Sequence, residues 1–144
     1  MSNSKKLLIA ALAVIFLAGA TPLAAQLAGV WAGTGEGCCS PPGTTIYPWQ
    51  TWKGEIPNSQ DVFSGKWWDA DSNRGTFHGK IIISSVTEAY CEGIWNLDDP
   101  SGASIIGGDF KMTFYILEGT CEGTWISIWP TALPATMRGW KVEP

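Results

Sequence analysis

Oxygen-bearing side chains at alternate positions are the first hint of chemistry in this chain. Asp69, Asp71 and Asn73 have the spacing with which a calcium loop converges on one cation. The glycine of such a loop arrives one position late, at Gly75, and Lys80 stands where a closing bidentate Glu belongs. Asx-turns in a hairpin loop account for the same three residues without a metal. Trp49, Trp68 and Trp129 are the second hint. Exposed aromatic faces beside carboxylates such as Asp69 and Asp98 suit sugar rings or cationic groups, and burial under loops is the alternative. His78, the single histidine, lies between Phe77 and Gly79, which offer no nucleophile for it to activate. Asp69 with Asp98 is the remaining route to acid–base work on a glycosidic bond, and nothing in the spacing sets their separation. No phosphate loop or dinucleotide fingerprint occurs. The expectation is a non-enzymatic protein with no cofactor, calcium being the one ion the spacing admits.

The elements that must position these residues follow from an internal repeat. Gly-x-Trp recurs at Gly29-Val30-Trp31, Gly65-Lys66-Trp67, Gly93-Ile94-Trp95 and Gly123-Thr124-Trp125. Trp67, Trp95 and Trp125 are separated by 28 and 30 residues, a period that calls for one repeated unit. After each motif comes a polar, Gly/Pro-rich stretch and then a second apolar run, which is β-hairpin chemistry. Four hairpins make eight strands.

Alternation assigns the faces. Trp31, Trp52, Ile56, Phe63, Trp67, Phe77, Ile81, Cys91, Trp95, Phe110, Met112, Phe114, Cys121, Trp125 and Trp140 are expected inside. Lys53, Glu55, Ser64, Lys66, His78, Lys80, Glu92, Lys111 and Glu122 are expected outside. An open sheet of this length leaves two edges and a bare apolar face, so the expected fold is all-β, an eight-stranded antiparallel up-and-down meander closed into a barrel. The Gly before each Trp is expected to make room for the ring. A two-sheet sandwich is the alternative. The barrel places Asp69, Asp98, Asp99 and Glu36 at one end, as an acidic mouth near Trp49 and Trp129. An eight-stranded interior holds its own side chains or one small ligand.

The Gly29-Val30-Trp31 opening and the meander resemble the calycin group of small barrels, which includes lipocalins and avidins. Gly29, Trp31, Gly33 and Gly35, followed by Tyr47-Pro48, are similar to the start of nitrobindin-like barrels. The resemblance implies a barrel and an apolar-ligand pocket. Nitrobindins hold haem through a histidine near the C-terminus. His78 is mid-chain and on the outer face, so haem is not implied, and the polar biotin-binding set of avidins does not occur.

Residues 1–25 have the form of a helical secretory signal peptide. Lys5 and Lys6 open it, an apolar run follows, and Leu23-Ala24-Ala25 offers small residues before Gln26. The run is shorter than the ~20 residues of a spanning helix, and no second one follows. The domain is then residues 26–144, secreted or periplasmic, with no membrane span after processing. Charged residues make up 15% of the 144 and the net charge is −4, which argues against a nucleic-acid partner. Export favours disulfides among the four cysteines. Cys91 and Cys121 start strands five and seven at one end, and Cys38 and Cys39 sit in the first loop at the other. The pairing expected is Cys91–Cys121, with a vicinal Cys38–Cys39 bond. Two strand steps of ~4.8 Å separate the first pair, against the ~7 Å limit between Cα atoms, so buried thiols are the alternative. The functional expectation is an exported barrel binding a small apolar or carbohydrate-like ligand at its Trp-lined acidic mouth or in a small cavity. The alternative is a solidly packed, self-associating structural protein at the cell surface or outside it.

Overall fold

The computed structural model describes residues 27–143; the proposed signal peptide, residues 1–25, lies outside them. Eight strands run in order, β1 (Gly29–Cys39), β2 (Thr51–Ile56), β3 (Val62–Trp68), β4 (Arg74–Ile83), β5 (Glu88–Asp98), β6 (Ser104–Tyr115), β7 (Thr120–Trp125) and β8 (Thr131–Glu143). Each pairs antiparallel with its neighbour in sequence, and β1 pairs with β8, so the sheet is a closed barrel. Closure leaves no strand edge unpaired. The four expected hairpins are all present.

The alternation reads correctly at every inward position named from the sequence except one. Trp140 is 49% exposed. Ala135 and Met137 are buried on the same strand, and a period of two then turns residue 140 outward. Gly139 takes the inward place instead, where an added Cβ would lie within 2.7 Å of the Trp52 ring.

Trp31, Trp49, Trp52, Trp67, Trp95, Trp125, Phe63, Phe77, Phe110 and Phe114 fill the lumen, each almost completely buried. Their rings meet edge-on, tilted or stacked, with centroids 4.5–6.4 Å apart, within the favourable range for aromatic pairs. The repeat now acquires a structural meaning. Trp67 of β3 donates its indole N–H to the Asn96 carbonyl of β5, at 2.9 Å. Trp95 of β5 donates to Ile126, just past β7, at 2.9 Å. Trp125 of β7 donates to Glu36 of β1, at 3.3 Å. Each indole reaches across one intervening strand and keys its hairpin to the next. Successive rings meet edge-on, Trp67 to Trp95 at 5.9 Å and Trp95 to Trp125 at 5.7 Å.

The glycines serve this arrangement differently from expectation. Those preceding Trp67, Trp95 and Trp125 do not clear space for those rings: a Cβ on Gly93, for instance, would strike the His78 carbonyl and the Gly79 Cα of the neighbouring strand. These positions permit close strand approach at the bends of the barrel. The gap for the indole comes from the strand it crosses. On Gly75 of β4, a Cβ would collide with the Asn96 carbonyl and lie 2.6 Å from the Trp67 nitrogen.

Candidate functional site

The acidic end of the barrel is closed by its own loop. Residues 40–50 fold back over β1, with Ile46 and Cys39 exchanging backbone hydrogen bonds of 2.9 and 3.0 Å. Trp49, with a positive φ of 66°, drives its ring into the lumen. It stacks on Phe77 at 4.5 Å and meets Phe110 at 4.9 Å. The expectation of Trp49 as an exposed face at the mouth is therefore corrected: it is the plug. A large ring at a closed barrel's end gains more by leaving water than by staying in it. Its indole nitrogen is buried without a hydrogen-bond partner.

Asp69 holds the plug in place. It is buried, and its two carboxylate oxygens accept four hydrogen bonds of 2.9–3.0 Å. Three come from the Asp71 and Asn73 backbone and the Asn73 side chain, and one from the backbone of Tyr47 in the plugging loop. Gln50 adds a second clasp, accepting from the Ala70 N–H at 2.8 Å. The calcium spacing of Asp69, Asp71 and Asn73 thus resolves into the Asx-turn reading. The lone pairs that would face a cation face N–H donors instead, and Asp71 is exposed. Among the described residues no group of three or more His, Cys, Asp or Glu is placed to hold a metal ion.

The other residues expected at the mouth are dispersed. Asp98 ends β5, exposed, opposite Ser104. Trp129 is half-buried, its ring 6.3 Å from Trp95. Trp68 is exposed on the outer wall, beside Lys53, Lys66 and Val30 in a shallow groove of about 300 Å3. Trp49, Trp68, Trp129, Asp69 and Asp98 therefore do not converge on one binding surface.

The disulfide expectations are also corrected, since all four cysteines are free thiols. Cys91 lies opposite Met112 and Cys121 opposite Phe114, on either side of β6. That is two strand steps with an added offset, beyond disulfide reach. Cys38 and Cys39 are consecutive on one strand, so their side chains leave opposite faces: Cys39 is buried and Cys38 half-buried. Burial pushes the Cys91 thiol up to about 12. It also raises Cys121 and Cys39.

A larger recess, about 560 Å3, lies on the outer wall where β5, β6, β7, β8 and β1 run side by side. Its sides are outward residues of these strands: Tyr90, Lys111, Thr113, Glu122, Thr124, Thr136, Arg138, Thr34 and Glu36. The Tyr115 hydroxyl donates to Glu122 Oε2 at 2.8 Å, which raises the Tyr115 pKa. Sequence reasoning assigned Lys111 and Glu122 to the outside but had no way to group them, because strand register decides which outward residues are neighbours. Comparison of the chain with protein-family models, with curated proteins and with solved structures finds no match.

Proposed function

We propose that this protein is an exported, non-enzymatic, calycin-like barrel with a structural, self-associating role, secreted or periplasmic. One observation carries the reading: six tryptophans and four phenylalanines, one of them the Trp49 plug, occupy the lumen. An apolar ligand could enter only by displacing rings already packed at core density. The charged, outward side chains of the strands support a barrel that stands in water, the reverse of the lipid-facing pattern of membrane barrels.

Self-association has a candidate surface. Ile126 and Ile128 donate their backbone N–H groups to Asp109 and Gly107, and Ile106 pairs with Asn96 just beyond. The three isoleucines protrude together, 56–65% exposed, and such apolar clusters mark contact surfaces. Sedimentation of the processed protein across concentrations tests the role. A dimer or larger assembly is expected, converted to monomer by Ile126→Ser/Ile128→Ser with an unchanged melting temperature. A monomer at every concentration, or an assembly indifferent to the double substitution, refutes it. A small molecule retained in native mass spectra would refute the filled lumen.

A further inference from the structure

The outer recess is separate from the plug and the isoleucine surface, and its floor backs onto core residues Met112 and Met137. Its residues form a row at right angles to the strands. Tyr90 pairs with Thr113, Thr113 with Glu122, Glu122 with Arg138, and Arg138 with Thr34. Four strand steps of about 4.8 Å make this row about 19 Å long, a span for an extended ligand rather than a compact one. We propose that it is a binding site for a neutral glycan chain lying across the strands.

Charge argues for the ligand class. Lys111 and Arg138 stand against Glu36 and Glu122, so the recess has no net sign to attract a polyanion or a cation. A ligand rich in hydroxyls satisfies both kinds of wall, donating to carboxylates and accepting from the guanidinium and ammonium groups. The Tyr115 hydroxyl occupies Oε2 of Glu122, which orients the carboxylate and leaves Oε1 for a ligand hydroxyl. Thr113 and Thr34 add hydroxyls that can donate or accept. An aromatic face, Tyr90, closes one end of the row. Aromatic faces of this kind take the apolar face of a sugar ring. Every member sits on a strand of a closed barrel, so the geometry is held before the ligand arrives.

This site stands or falls independently of self-association. Calorimetric titration of the processed protein with maltotetraose, cellotetraose, chitotetraose and mannotetraose, with a heparin-derived tetrasaccharide as the charged counterpart, tests it. At least one neutral tetrasaccharide should bind with Kd below about 1 mM. Arg138→Ala and Tyr90→Ala should each weaken that binding tenfold or more at an unchanged melting temperature, and Glu122→Gln should weaken it too. Lys66→Ala, exposed on β3 and two strands from either end of the row, should leave it unchanged. No binding by any of the four neutral chains, binding by the heparin fragment alone, loss of less than tenfold in Arg138→Ala, or equal loss in Lys66→Ala would each overturn the assignment.

Discussion

Two tryptophans buried to the same degree differ in what their nitrogens meet. The Trp95 N–H has the Ile126 carbonyl at 2.9 Å, and the Trp49 N–H has nothing. Replacing either with Phe removes a similar amount of ring, so the difference isolates the hydrogen bond. Trp95→Phe orphans a carbonyl acceptor, whereas Trp49→Phe removes an unsatisfied buried donor. Urea unfolding should therefore show Trp49→Phe less damaging than Trp95→Phe by about 1–2 kcal/mol. Equal losses would mean that the Trp49 nitrogen has a partner, such as a buried water. The in-phase tryptophans were legible in the sequence because strand alternation is local. Trp49 was not, since it belongs to no strand and its place depends on a loop finding the open end of a barrel.

Elements are held by what crosses them. Each 28–30-residue repeat is one hairpin step, and its indole passes over the next strand to a carbonyl beyond. Gly75 is the opening through which Trp67 reaches Asn96. A methyl group there meets the Asn96 backbone and the hydrogen-bonded Trp67 ring, neither of which can step aside. Gly75→Ala should cost about 2–3 kcal/mol by overpacking and by loss of the indole bond, read as a lower urea midpoint with an unchanged m-value. The alanine variant of exposed Gly102, where an added Cβ meets nothing within 4 Å, should lose less despite its positive φ. The repeat, the hairpins and the strand order could be read from residue types. The use of the glycines could not, because it depends on atoms of strands that are distant in sequence.

For the molecule as a whole, the closed and filled barrel turns buried thiols into a pH liability. Cys91 is pushed up to about 12 from an ordinary 9.0, and Cys121 is raised as well. In the unfolded chain both ionise near the ordinary value. A folded pKa above the unfolded one means that this contribution to stability is complete below pH 9 or so and declines as pH rises toward 12. The melting temperature should fall between about pH 9 and pH 11, and Cys91→Ala/Cys121→Ala should flatten the fall. An equally steep fall in the double variant would assign it to other groups, such as the raised Tyr115.

What residue order determined by itself is what depends on near neighbours: which positions turn inward, where turns interrupt strands, and how many hairpins there are. Period-two alternation and turn chemistry act over a few residues, so they survive without knowledge of the fold. Register and loop docking were decided only in three dimensions. They made Asp69 a clasp instead of a ligand, held Cys91 and Cys121 apart on either side of β6, turned Trp140 to solvent beside Arg138, and aligned Tyr90, Glu122 and Arg138 from three strands into one row. Each depends on the distance between residues far apart in the chain, which no local pattern specifies.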